Sequence, residues 1–358
     1  MTSLSLRSLS LLCLFAVSGL VFAQDADAPD ADAEPDSEEG TEAEEAPEEP
    51  PPPPLPDLSF ATYNLGLAHG AVALAAERQP RILAAMADLD ADVLCLQEVW
   101  WDEDVDALLE ALGDTYPHHV REITTDDSEP STPCGIFPAL KLSKCVTKKC
   151  EKNGISAEEC VSTEPCQARY DALADDCKRC LAANTADPTS CALGGAQEFA
   201  WSGRNGLLLL SREPLEDVHR LTFDSLLVKR GVLAATVQGV QVSCTHLSSD
   251  LGVVPYPEDR EVSSWKQEHV AQVQFLSKWA DPDSCSVLMG DLNTGPSDGG
   301  FIGELSDSWA LIPEAGFVEP WTEPVCTWCQ ENPLAGSEDD KLIDHVMFHG
   351  CGDGLEVE

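Results

Sequence analysis

From Leu58 onward, short and almost wholly apolar runs alternate with stretches of helical periodicity, and few folds accept that alternation. "LSFATYNLG", "ADVLCLQEVW", "GRNGLLLLSR", "VKRGVLAATVQG", "VQVSCTHL", "CSVLMGDLN" and "KLIDHVMF" have the length and character of strands, with a turn expected at Gly239. "VALAAERQPRILAAMADLD", "DVDALLEALGD" and "SWKQEHVAQVQFLSKWA" place apolar residues three and four apart and predict helices. The pattern is that of a layered α/β domain with one core and no internal repeat.

One stretch breaks the pattern. Of fifteen cysteines, eight fall between Cys134 and Cys191. Setting aside Cys13 leaves an even fourteen. The CxxC pairs Cys177/Cys180 and Cys326/Cys329 would suit zinc, but they lie far apart in sequence, and disulfides are the favoured reading. "EPCQARYDALADDCKRC" reads as a helix, so 134–191 is expected to be a disulfide-stapled insertion. Within it, "KLSKCVTKKCEK" holds five lysines against one glutamate. It is either a solvated surface or a contact for lipid head groups.

The N-terminus reads as an export signal. Arg7 precedes the apolar "LLCLFAVSGLVFA", and Val21 and Ala23 supply the small residues of a cleavage site, which makes 1–23 a signal peptide. Its apolar core is shorter than the ~20 residues of a membrane span. Residues 24–57 carry 14 acidic residues and no basic ones, and end in a proline run, the composition of a disordered linker. The domain from 58 to 358 still has 50 acidic against 20 basic residues, a net charge of −30. Such a body does not coat nucleic acid through basic groups of its own, and needs a metal to admit phosphates. The expected location is secreted or extracytoplasmic.

Several apolar strands end in a polar residue: Asn64 in "FATYN", Glu98 in "VLCLQE", His246 in "VSCTH", and Asp291 with Asn293 in "VLMGDLN". A buried strand has no structural need for a carboxylate at its end. Together these residues predict one site at one sheet edge, with oxygen donors suited to a hard cation such as Mg²⁺, with Mn²⁺ or Ca²⁺ as alternatives. "GPSDG" (295–299) matches a serine-hydrolase pattern but lacks the strand-to-helix turn a nucleophile needs, and reads as a loop. His118 and His119 read as a surface strand, and Trp100 and Trp101 as core.

In order, "ATYN", "LCLQEVW", "NGLLLLSR", "CTHL", "MGDLN" and "IDHVMF" resemble the endonuclease/exonuclease/phosphatase superfamily over most of the chain from Leu58 apart from the insertion. The resemblance implies a four-layered α/β-sandwich, two packed β-sheets flanked by helices, and a metal-dependent phosphoesterase domain over 58–358. It implies that Asn64 and Glu98 bind the metal and that Asp291 and Asn293 position the attacking water and the scissile phosphate. His246 would bond a phosphate oxygen, and Asp344 would orient a histidine base. "LLVKRGVLAATVQGVQVSCTHL" and "CTWCQENPLAG" are similar to stretches of the neutral and secreted sphingomyelinases. They imply cleavage of sphingomyelin to ceramide and phosphocholine, with lipid head groups as the contact. The alternatives are an extracellular DNase-like nuclease acting on nucleic acid, or an inactive binding module. No protein partner is predicted.

In that superfamily the histidine base belongs to a later "SDH", so "LIDHVMF" is expected to be the aspartate-bearing strand and the C-terminal end to be incomplete. The other reading makes Asp344 and His345 themselves the catalytic pair. On the first reading the sequence is truncated, the protein is inactive, or His345 or His349 serves as a local substitute base.

Overall fold

The computed structural model describes residues 56–69, 72–122, 132–155, 157–162, 166–183, 189–194, 204–250, 256, 262–280, 284–321, 324–334 and 339–351. The expected signal peptide, and the expected linker apart from its last two residues, lie outside them.

Nine strands form two sheets among the described residues. The first contains, in spatial order, β1 (Phe60–Asn64), β2 (Val93–Gln97), β4 (Leu208–Ser211) and β3 (His118–Arg121). The second runs β5 (Glu216–Thr222), β6 (Gly231–Val237), β7 (Val240–His246), β8 (Ser286–Asp291) and β9 (Asp344–His349). The helices are α1 (Ala75–Ala87), α2 (Asp102–Leu112), α3 (Ile136–Lys149), α4 (Ala157–Ser162), α5 (Gln167–Asp171), α6 (Asp175–Ala183), α7 (Ser190–Leu193), α8 (Trp265–Trp279), α9 (Ser306–Trp309) and α10 (Leu311–Glu314). Parallel neighbours need a crossover, and α1 supplies it for β1 and β2, α8 for β7 and β8.

The period-two alternation of side chains builds the layers. β2 sends Val93 and Cys95 between the sheets, and Leu94 and Leu96 toward Met86 of α1 and Leu108 of α2. β6 sends Leu233, Ala235 and Val237 between the sheets, and Val232 and Ala234 toward Val273 of α8 and Ile312 of α10. Each of these strand leucines is fully buried, a position that stabilises by roughly 1.5–3 kcal/mol. The order of layers is therefore helices, sheet, sheet, helices.

All fourteen cysteines after Cys13 are paired. Cys95–Cys244 joins β2 to β7 across the inter-sheet core, Cys285–Cys351 ties the start of β8 to the end of β9, and Cys326 pairs with Cys329. Cys177 and Cys180 do not pair with each other but with Cys134 and Cys191, which closes the zinc alternative there. Cys145–Cys166 and Cys150–Cys160 complete the insertion. Its small core gathers those cysteines with Leu142, Tyr170 and Leu173, and rests on Ala68 and Val72 after β1, Trp100 and Trp101 after β2, and Val228 before β6.

One expectation differs from the structure, and one strand was not anticipated. The single helix read from "EPCQARYDALADDCKRC" is broken at Ala172–Ala174, because Tyr170 and Leu173 both turn into the insertion core. Strand β5 had no apolar run to announce it. It is a largely exposed edge strand whose pairing with β6 supplies its order.

Candidate active site

The ends of β1, β2, β7 and β8 and the start of β9 meet at one edge. Register fixes this: Asn64 pairs with Gln97, His246 with Asp291, and Asp291 with Asp344. Asn64 then reaches across the sheets, its Nδ2 donating to Glu98 Oε1 at 3.0 Å and to Asp291 Oδ2 at 2.9 Å. His246 Nε2 lies 3.4 Å from the same Asp291 oxygen. The Asn293 backbone N–H donates to Asp291 Oδ1 at 3.0 Å, and its Nδ2 to the Leu247 carbonyl at 2.8 Å. Thr327 Oγ1 accepts the backbone N–H groups of Ile343 and Asp344, each at 3.0 Å, and so anchors the start of β9.

Local backbone geometry explains two of the motifs. Gly290 has φ 148°, and a Cβ there would stand 1.9 Å from the Thr245 carbonyl oxygen, so only glycine lets Asp291 follow in line. Glu98 has φ 59°, a left-handed conformation uncommon for glutamate and of a kind that gathers at functional sites.

The electrostatics are those of crowded carboxylates. Burial and the facing Asp344 hold the Asp291 carboxyl well above its ordinary range, against hydrogen bonds from Asn64 and Asn293. Burial, helped by the Glu98 charge, pushes Asp344 up to about 6. Burial, and then the nearby Arg230 charge, holds His246 well below the usual histidine value, so its imidazole is neutral.

Arg230 is the residue that sequence reasoning missed. Its guanidinium is buried, Nε and Nη1 lack hydrogen-bond partners among the described residues, and the charges of Glu98, Asp291 and Glu268 act on it. The available signal was an arginine set immediately before β6, apolar but for Thr236.

Of the candidate residues, Asn64, Glu98, His246, Asp291, Asn293 and Asp344 come together. His345 does not, which corrects its reading as a catalytic residue. As the next residue on β9 it points to the opposite face, where its Nε2 bonds the Thr294 carbonyl at 2.8 Å, its Nδ1 meets Glu319, and its ring stacks on Trp309. His349 lies at the far end of β9, against Phe317. Among the described residues, no imidazole is hydrogen-bonded to Asp344.

The residues fit a hard divalent cation. Asp344 Oδ1 is closed off from solvent with no hydrogen-bond partner, next to two further carboxylates and an asparagine. No three carboxylate or imidazole atoms of this cluster lie within 4.8 Å of one another. A cation would therefore be held by part of the set together with water, the habit of Mg²⁺.

The sequence profile of the Endonuclease/Exonuclease/phosphatase family matches residues 61–352. Comparison with curated proteins finds no match. Among solved structures, an endonuclease/exonuclease/phosphatase from Beutenbergia cavernae is 19% identical with TM-score 0.47, over 82% of this chain and 64% of that one, so the chain spans less than two thirds of its length. Sphingomyelinase C from Streptomyces griseocarneus is 17% identical with TM-score 0.45, over 83% and 85% of the two chains. A beta-toxin mutant from Staphylococcus aureus with bound magnesium ions is 13% identical with TM-score 0.48, over 84% and 87%. These likenesses are distant and say nothing of substrate or ion.

Proposed function

The chain belongs to the endonuclease/exonuclease/phosphatase family, and from that premise we propose that it is an exported, divalent-metal-dependent phosphodiesterase that cleaves sphingomyelin to ceramide and phosphocholine. The observation that carries the reading is the convergence of Glu98, Asp291 and Asp344 around Asn64, with one carboxylate oxygen unpartnered and one buried guanidinium alongside. Seven disulfides fit an oxidising compartment.

Glu98 and Asp344 would hold a Mg²⁺ ion, joined by Asn64 once its Oδ1, which accepts from the Gly66 N–H, is turned toward them. When bound, it would mask phosphate charge and stabilise the leaving oxygen. Asn293, fixed by Leu247, and Asp291 align a water with the phosphorus. As the new P–O bond forms, Asp291 takes the water's proton, and the bond to the ceramide oxygen breaks as that oxygen gains a proton from solvent. Neutral His246 donates a hydrogen bond to a non-bridging oxygen, and Arg230 adds positive charge where negative charge develops. A zwitterionic lipid diester suits a body of net charge −30 better than a polyanion, which it repels over its whole surface.

The test compares phosphocholine release from sphingomyelin vesicles with nicking of plasmid DNA, each with Mg²⁺ and with EDTA. Mg²⁺-dependent phosphocholine release is expected. Nicking without that release would replace the lipid reading with the nuclease one, and absence of both reactions with Mg²⁺ present would leave a binding module.

A further inference from the structure

The insertion carries an exposed face that the proposed chemistry does not use. Helix α3 buries Leu142 and Cys145 and leans Ala139 and Val146 on the insertion core. Its opposite face starts with Ile136, Phe137 and Leu140, which are 52%, 78% and 60% exposed. Leu193 of α7, 73% exposed, lies on the neighbouring segment, joined to the base of α3 by the hydrogen bond from the Cys134 N–H to the Cys191 carbonyl. Four large apolar side chains gathered at one tip exceed the scattered exposure of an ordinary surface.

Behind the tip the same face turns basic. Lys141, Lys144 and Lys148 follow Phe137 at helical spacings of four, three and four, and all are exposed. None has an ion-pair partner among the described residues. An apolar end with lysines set back from it matches the cross-section of a membrane interface, acyl chains below and phosphates above. Two disulfides, Cys134–Cys177 and Cys145–Cys166, hold α3 to its core, so the tip is presented without an ordering cost. No helix among the described residues is long and apolar enough to cross a membrane, so any contact through this face is peripheral.

We propose that this face of α3, with Leu193, docks the protein on the surface of a phosphocholine-rich bilayer. Charge selects that surface. Lysines set back from the tip meet lipid phosphates locally, whereas a strongly anionic membrane would repel a body of −30. The insertion rests on Trp100, two residues past Glu98, and on Val228, two before Arg230, so the docking element is attached at the end of the fold that holds the carboxylate cluster. The inference deepens the sphingomyelinase reading and rests on it for its purpose, but not for its observations.

The experiment is flotation of the full chain with sphingomyelin–phosphatidylcholine vesicles, beside turnover of a soluble chromogenic phosphodiester. The variants are Phe137→Ser/Leu140→Ser and Lys144→Glu/Lys148→Glu. All four positions are exposed, so folding is expected to be unchanged. Removing the apolar pair should weaken vesicle binding by about tenfold or more and leave soluble turnover as it was. Vesicle binding equal in wild type and the apolar variant, or absent in both, overturns the docking face even where sphingomyelin in detergent is cleaved. Loss of binding in the variant with no sphingomyelin cleavage by wild type upholds the docking face and removes the sphingomyelinase reading. Lysine-dependent binding of plasmid DNA with no vesicle binding makes the face a nucleic-acid contact and overturns the proposal.

Discussion

Asp291 and Asp344 stand directly opposite one another, as paired residues of β8 and β9. Burial raises both carboxyls, the Asp344 charge adds to the rise at Asp291 and the Glu98 charge to that at Asp344, and Asp344 Oδ1 is left without a partner. The cost of that arrangement falls on the metal-free protein. Asp344→Asn should stabilise the EDTA-treated protein by roughly 1–2 kcal/mol while removing Mg²⁺-dependent turnover. Adding Mg²⁺ should raise the wild-type melting temperature, as binding to the native state alone must, and raise that of the variant much less. A wild-type melting curve indifferent to Mg²⁺, with the variant no more stable, would show that the pair serves no cation.

His345 separates structure from chemistry. It is buried, bonded to Thr294 and Glu319, and stacked on Trp309. His345→Ala should cost about 2–4 kcal/mol in denaturant melts, through a cavity and an unpaired carbonyl, yet leave turnover per folded molecule within about tenfold. His246→Ala should do the reverse, with a loss of about a hundredfold or more in turnover and a smaller change in stability. Equal activity losses in the two variants would return His345 to the catalytic group.

The contrast between Asp344 and His345 also shows how far the sequence could be read. The polar residues that end largely apolar strands located the edge where Asn64, Glu98, His246 and Asp291 meet. Within a strand, side chains alternate between faces. The same rule places adjacent residues on opposite faces, so Asp344 and His345 could not both point into one site. Arg230 was hidden because its meaning depends on burial, which needs β6, β7 and the Glu268 helix together. The disulfide pairing was equally out of reach, since Cys95 and Cys244 meet only once two sheets have packed face to face. Strand β5 owes its order to pairing rather than to its own composition.

Cys95–Cys244 closes a span of 149 residues, whereas Cys326–Cys329 closes a span of 3. Chain-entropy arguments make the first worth about 4–5 kcal/mol, even with the free loop shortened by the insertion's own bridges, and the second about 1.5 kcal/mol. Urea melts of Cys95→Ala/Cys244→Ala and Cys326→Ser/Cys329→Ser check the order. Equal losses would mean that the inter-sheet bridge is not a main constraint on the unfolded chain.

His269 sets an acid limit. Its Nε2–H donates to the Leu292 carbonyl at 2.8 Å, its Nδ1 is buried and unpartnered, and burial lowers its pKa to about 4. The unfolded chain takes up a proton near pH 6.5 and the folded one does not, so this stability is present above pH 6.5 and is lost as pH falls toward 4. The loss should reach about 2–3 kcal/mol, read from denaturant melts across that window. His269→Asn should flatten the dependence. An identical slope in the variant would assign acid sensitivity to other groups.

Arg230 offers the sharpest separation of charge from shape. Its guanidinium is buried beside Glu98, Asp291 and Glu268, with Nε and Nη1 free of partners among the described residues, so its remaining hydrogen-bonding capacity suits an anion entering the site. Arg230→Lys keeps the charge but loses the planar fork, and Arg230→Met keeps most of the volume but loses both. Turnover should fall about tenfold in the first and a hundredfold or more in the second, the latter near 3 kcal/mol of lost transition-state stabilisation. In Arg230→Met the carboxylates also lose their only buried cation among the described residues, so the metal-free protein should melt earlier and excess Mg²⁺ should restore much of the difference. Parallel measurement of melting with Mg²⁺ and of kcat/KM separates the two effects. Recovery of both by Mg²⁺ would make Arg230 a countercharge alone, whereas recovery of melting without recovery of kcat/KM places its guanidinium on the phosphate.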